Sequence, residues 1–141
     1  MRNKQRWLTK KIKGDYIEND DLIRIVMFET FLHYIKEELK IATIFSKSEN
    51  EEISPNEFFS YTWDKELEDG YLKKEEAEAY VIRLKELKEV YCYIKQERPS
   101  LNKKLHEHIY LNIREQIDKE INDKDQKALD TILKHRLTLW T

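Results

Sequence analysis

The sequence predicts an all-α protein, a single-domain helical bundle of about five helices, several of them long. Three observations favour this fold class. The 141 residues include only two glycines and two prolines, too few for the tight turns that a β-protein of this size needs. Charged residues make up 38% of the chain, so the core must be thin, which suits long helices with one apolar stripe. Finally, each segment after the first Gly begins with a plausible helix start.

Four residues divide the chain into five segments, namely Gly14, Pro55, Gly70 and Pro99. Residues 1–14 form a basic N-terminal arm or helix. Asn19 or Asp20 can cap the first long helix, which runs from about Asp21 to Ser46. That helix is apolar around most of its circumference, so we expect the other helices to enclose it.

The third segment opens with the capping-box pattern Ser54-Pro55-Asn56-Glu57, which predicts the start of a short helix. This helix should stop near Gly70. A long helix from about Lys73 to Glu97 follows. It must end by Arg98, because a proline disfavours helical geometry in the residue before it.

The last two predicted helices cover the C-terminal third of the chain. Ser100 caps a helix to about Ile121, in which apolar residues recur every four positions from Leu101. Asp123 or Asp125 then opens a final helix through about Trp140.

Composition also indicates the cellular compartment in which the protein works. Cys92 is the only cysteine, which excludes a disulfide within the chain and indicates a reducing compartment. The longest apolar run near the N-terminus, Ile25 to Phe28, is far too short for a signal-peptide core or a membrane span. We therefore predict a cytoplasmic protein with no membrane association.

Charge is distributed unevenly, although the formal net charge is only -2. Residues 1–13 carry six basic residues and no acid, whereas residues 49–69 carry eight acids against Lys65. The arm could contact nucleic acid or another polyanion, or it could be a solvated terminal helix that rests on the acidic segment.

Between Leu22 and Ile35 the first long helix carries few polar side chains, namely Arg24, Glu29, Thr30 and His33. Glu29 and His33 lie one turn apart on one face, where they could pair, orient a ligand or hold a metal. A metal site is disfavoured because the Glu-x-x-His repeats of helical metal sites are missing. We predict no metal and no cofactor.

Motifs of nucleophilic and phosphate-transfer catalysis are missing from the sequence. It contains no Gly-x-Ser-x-Gly, no Walker loop and no dinucleotide fingerprint. We therefore expect a protein that is not an enzyme and has no catalytic residues.

A second group of candidate residues lies before Pro99. Tyr91, Lys95 and Arg98 could stack on a planar ring and pair with a phosphate or carboxylate. Alternatively, the tyrosine belongs to a helical seam and the cations only complement a helix C-terminus.

A resemblance rests on short motifs in residues 20–99: Phe28-Glu29 in an apolar helix ending Glu37-Glu38, then Trp63-Asp64, Leu87 to Tyr91 and Arg98-Pro99. In this order they resemble a group of small helical proteins of unknown function from tailed bacteriophages. The sequence departs from that group at Tyr93-Ile94 and in its longer, Lys-rich C-terminal half. The resemblance implies a phage setting, and hence the host cell cytoplasm, but no known activity.

Three functions are compatible with these observations. The first is a non-enzymatic binding protein that sequesters a small anionic or nucleotide ligand of host defence; its site would comprise Arg24, Glu29, His33, Tyr91, Lys95 and Arg98. The second is an inhibitor or adaptor of a host protein, acting through residues 49–69 or the Leu137–Trp140 end. The third, a nucleic-acid-binding accessory protein, is disfavoured by a pI of about 6.1.

The spacing of apolar residues in the fourth segment further predicts a homo-oligomer. Tyr80, Leu84, Leu87, Tyr91 and Ile94 recur at the alternating spacing of a heptad seam. Such a seam suits a near-parallel partner helix, and several long helices with single stripes leave more apolar surface than one thin domain covers.

Overall fold

The computed structural model describes residues 19–46 and 53–136, and every regular element in these ranges is helical. The elements are α1 (Asn19–Ser46), α2 (Pro55–Phe59), α3 (Asp64–Glu68), α4 (Lys74–Cys92), a π-helical turn (Tyr93–Glu97), α5 (Arg98–Glu107) and α6 (Leu111–Lys134). The all-α prediction is confirmed for this part of the chain. The described residues contain six α-helices, whereas about five were expected for the chain, and four of the six have ten residues or more. The basic arm and the Leu137–Trp140 end lie outside the described residues.

Helix α6 is the element around which the other long helices assemble. It contacts α1, α4 and α5, and its inward row is buried at Ile121, Asp125, Ala128 and Ile132. The sequence predicted this enclosed position for α1. Instead, α1 buries one face through Phe28, Phe31 and Ile35 and leaves Ile23 58% exposed.

The heptad-like seam of α4 packs within the chain. Leu84 and Leu87 are buried, and Tyr91 and Ile94 are half-buried against the same core. Helix α4 lies against α2 and α6, so the fold itself uses most of the predicted partner face. Self-association stays a prediction.

The predicted start of α2 is confirmed. The Ser54 hydroxyl accepts a hydrogen bond from the backbone N–H of Glu57 at 3.2 Å, with Pro55 in the first turn. The segment then turns before Gly70, as expected, but it contains two short helices in place of one. Gly70 has φ +77°, a left-handed conformation that glycine adopts without strain.

The helix does not end before Pro99, contrary to the sequence prediction. Arg98 has helical dihedral angles, φ -60° and ψ -47°. Within the π-helical turn its N–H donates to the carbonyl of Tyr93, five residues back, which shifts the hydrogen-bond register. Pro99 then falls in the first turn of α5, where a missing N–H costs little.

The helix predicted from Ser100 to Ile121 is interrupted. Residues 108–110 leave the helical conformation between α5 and α6. A continuous helix would hold Leu101 and Ile121 about 30 Å apart, whereas both are buried in one core cluster. The turn therefore lets both stretches of the apolar row reach the same core. The final helix begins at Leu111, not at Asp123 or Asp125.

A buried carboxylate joins four elements of the fold. Asp125 on α6 is 0% exposed. Its Oδ1 accepts hydrogen bonds from the Tyr93 hydroxyl at 2.5 Å and from Arg98 Nε at 2.9 Å, and its Oδ2 accepts one from Arg98 Nη2 at 3.2 Å. Arg24 Nη1 on α1 lies 3.5 Å from Oδ2. We call these four residues the Asp125 cluster.

The geometry of the Asp125 cluster compensates for the cost of burying a charge. The Arg98 guanidinium binds both carboxylate oxygens, the strongest arrangement available to this pair. Burial, followed by the hydrogen bond to Asp125, raises the pKa of Tyr93 well above its usual value. The phenol consequently stays protonated and remains a donor across the accessible pH range.

We expect Asp125→Asn to lower the free energy of unfolding by about 3 kcal/mol, because two partly buried guanidinium groups would lose their counter-charge. Urea denaturation measures the change. Glu97→Gln is the matched control, since Glu97 forms an exposed pair with Lys124 that is worth less than about 1 kcal/mol. An equal, small loss in both variants would contradict the role assigned to Asp125.

Candidate functional site

The structure brings two of the six predicted ligand residues together, in the Asp125 cluster. Besides its contact with Asp125, Arg24 donates to Asn122 Oδ1 at 2.7 Å. The Arg98 guanidinium carbon lies 5.3 Å from the centre of the Phe28 ring. Both cations are therefore already occupied by groups of the protein itself.

Glu29 and His33 lie on another face of α1. Five residues separate Arg24 from Glu29 and nine separate it from His33, which places them about 140° and 180° away around the helix. Both side chains are half-buried. They do not converge with Arg24 on one site.

Tyr91 and Lys95 also lie apart from the Arg98 guanidinium. The Tyr91 ring packs 5.4 Å from the Phe59 ring, whereas Lys95 is exposed on the π-helical turn. Arg98 turns towards Asp125. The predicted spot, with a tyrosine face beside two cations, is not assembled in this arrangement.

An aromatic cleft of about 460 Å³ lies between α1, α2 and α4. None of the six predicted residues lines it. Its lining is formed by Tyr34, Glu38, Ile53, Glu57, Phe58, Tyr61, Trp63, Arg83, Leu84 and Leu87. Leucines and aromatic rings thus surround a small number of charged groups, which is the usual composition of a small-molecule site.

Trp63 holds its position in the cleft through an unusual backbone conformation. Its φ is +59° and its ψ is 25°, in the left-handed region that a bulky residue rarely adopts. The ring packs between Tyr61, at 5.0 Å between centroids, and Tyr80, at 5.3 Å. Backbone strain of this kind costs about 1–3 kcal/mol and clusters at ligand clamps and active sites.

Arg83 on α4 is the cation that lines the aromatic cleft. It is half-buried, and its one hydrogen bond in the described part of the chain is a long one of 3.4 Å from Nη2 to the Tyr34 hydroxyl. Its Nε is buried and has no hydrogen-bond partner among the described residues. Because this Nε is shielded from solvent, an acceptor that enters the cleft would bind the guanidinium through its Nη groups, where a charge-assisted bond would be stronger than the long bond to Tyr34.

Two tyrosine hydroxyls at the cleft remain protonated. Burial, and then the nearby Glu38 carboxylate, raises the pKa of Tyr34. The hydrogen bond from the Tyr61 hydroxyl to Glu66, at 2.5 Å, raises the pKa of Tyr61 to about 12. Tyr34 can therefore act as a donor, whereas the bond to Glu66 fixes the position of the Tyr61 ring.

A second, polar groove of about 730 Å³ runs between α6 and the stretch from α4 to α5. Three lysines and three glutamates line it, so it offers no net charge. Lys124 forms ion pairs with Glu97 and, at 3.1 Å, with Glu120. These pairs occupy three of the six charged groups, and the groove offers few aromatic rings, which makes it a weaker candidate than the aromatic cleft.

Metal centres and membrane spans are both absent from residues 19–46 and 53–136. No group of three or more His, Cys, Asp or Glu side chains in these ranges could hold a metal ion. No helix in them is long and apolar enough to cross a membrane.

Parts of the aromatic cleft and of the Asp125 cluster could have been recognised in the sequence. Residues 58–63 contain four aromatic side chains, and Asp125 continues the row of every fourth residue beyond Ile121. Arg83 had no such signal, because its missing partner is a property of the packed structure.

No family model, curated protein or solved structure matches the chain. The resemblance to small phage proteins stays a prediction, and the function is argued from the geometry of the aromatic cleft.

Proposed function

We propose that this protein is a non-enzymatic binding protein that holds a small ligand in the aromatic cleft. The ligand carries a flat ring, which packs against Trp63 and Phe58, and an acidic group, which accepts hydrogen bonds from Arg83. The proposal keeps the function class that the sequence favoured, ligand sequestration, and moves its site away from Arg24 and Arg98.

The observation that carries this proposal is the half-buried Arg83 guanidinium beside aromatic walls, which makes one long hydrogen bond and no ion pair with the described residues. A guanidinium in such surroundings binds a carboxylate or phosphate more strongly than an exposed one does, because water competes less for its donors. The strained backbone of Trp63 supports the same conclusion, since packing alone seldom selects a left-handed tryptophan.

The biological setting is part of the proposal. We propose that the protein works in the cytoplasm of a bacterial host, as the resemblance to phage proteins implies, and that it removes a small ligand of host defence without a cofactor. Self-association would be compatible with this role, because the aromatic cleft belongs to one copy. The nucleic-acid alternative depends on the basic arm, which lies outside the described residues.

We expect phenylacetate to bind the aromatic cleft with a Kd of about 1 mM, because a ligand with so few atoms can gain only a small binding free energy. Arg83→Leu should weaken binding at least about tenfold, because a hydrogen bond to a charged group is lost. A ligand-observed NMR titration measures both affinities.

Two controls make this test specific. Lys85→Leu removes an exposed cation from the same helix and should leave the affinity unchanged. Cyclohexylacetate has the same charge but lacks a flat ring, so it should bind more weakly. Equal affinity for phenylacetate in the wild type and Arg83→Leu would contradict the proposed site.

A second candidate function, binding to a host protein, is favoured by the turn between α5 and α6. Ile109 is 91% exposed, and Tyr110 and Leu111 are each 70% exposed. Turns are usually built from Gly, Asn, Asp or Ser, which meet their conformational needs. Three consecutive large apolar residues serve no such need, and contiguous exposed apolar patches mark interaction surfaces. The partner would present an apolar pocket to this turn.

We expect the double substitution Ile109→Ser and Tyr110→Ser to abolish co-purification of such a partner from a bacterial lysate. Tyr71→Ser is the matched control, because Tyr71 is an 80% exposed tyrosine away from this turn. Both variants should keep their stability within about 0.5 kcal/mol, as surface substitutions do. A partner that the double variant retains would exclude this surface.

A further inference from the structure

The charged groups of the aromatic cleft restrict the class of ligand, and this inference rests on the proposed function. Among the described residues, one cation, Arg83, lines the cleft together with two acids, Glu38 and Glu57. A polyphosphate would bring several negative charges next to the Glu38 carboxylate, and among the described lining residues only the Arg83 guanidinium would offset them. The cleft is therefore poorly suited to a nucleotide polyphosphate.

The charged groups are also ordered along the walls. Arg83 donates to the Tyr34 hydroxyl, and Glu38 follows Tyr34 by one turn on the same face of α1. The Arg83 guanidinium, the Tyr34 hydroxyl and the Glu38 carboxylate therefore lie in this order along one side of the aromatic cleft. The Glu57 carboxylate on α2 is already bonded within the protein, since it accepts a hydrogen bond from the Ser54 hydroxyl at 3.4 Å.

We propose that the ligand is an aromatic or heteroaromatic compound that carries two polar groups of opposite character. An anionic group binds Arg83, and a cationic or N–H donor group binds Glu38. The ring between them contacts Trp63. A cleft of about 460 Å³ accommodates a ligand of the size of an aromatic amino acid or a modified nucleobase, within the range of known small-molecule sites.

Probes that share a phenyl ring test the charge requirement directly. L-phenylalanine carries both charges, phenylacetate only the negative one and phenethylamine only the positive one. In ligand-observed NMR titrations, L-phenylalanine should bind about threefold or more tightly than phenylacetate, as expected for a partly exposed charge pair. Tripolyphosphate should not displace either compound.

Two substitutions assign the charges to residues. Glu38→Gln should bring L-phenylalanine close to the affinity of phenylacetate, whereas Arg83→Leu should make phenethylamine the preferred probe. Glu37→Gln, an exposed neighbour on α1, should leave the order unchanged.

The outcomes separate this inference from the proposed function. Phenylacetate that binds as tightly as L-phenylalanine, or displacement by tripolyphosphate, overturns the dual-charge ligand and leaves the cleft as a site. Absence of binding by all three phenyl compounds overturns both.

Discussion

A carboxylate shielded from water is stable in a protein only if donors reach both of its oxygens, and Asp125 imposes this requirement on the whole fold. Its partners come from three other elements, since Arg24 lies on α1, Tyr93 in the π-helical turn and Arg98 at the start of α5. Satisfying Asp125 therefore fixes how these segments meet α6. The shift of hydrogen-bond register in the π-helical turn fits the same constraint, because it carries the helix through Pro99 while Tyr93 and Arg98 both bind Asp125.

This constraint divides the arginines of the core region into two groups. Arg24 and Arg98 neutralise Asp125, and their contribution is to stability. Arg83 faces no acid at bonding distance among the described residues, and its Nε lacks a partner. The walls of the aromatic cleft, α1 and α4, both rest on α6. The packing in which Arg24 and Arg98 bind Asp125 therefore also supports the aromatic cleft. There, Arg83 remains available to a ligand.

Local signals in the sequence predicted local structure well. The helical class followed from the scarcity of glycine and proline, and the Ser54 cap and the seam of α4 followed from residues a few positions apart. The pairing of side chains that are far apart in the sequence had no such local signal. Arg98 precedes a proline and was expected at a helix end, and Asp125 has the residue type of a helix start. Only the fold brings them together, which is why the predicted ligand site and the predicted helix boundaries changed at these residues.

The central claim is that Arg83, and not Arg98, is the cation available to a ligand. The Nε–H signals of the two arginines in a ¹⁵N-resolved NMR spectrum, assigned with Arg83→Lys and Arg98→Lys, test it most directly. Arg98 Nε lies 2.9 Å from a carboxylate oxygen, so its proton should resonate downfield and stay there when phenylacetate is added. The Arg83 signal should move when the carboxylate of phenylacetate binds the Arg83 guanidinium. A shift at Arg98 with none at Arg83 would contradict the account.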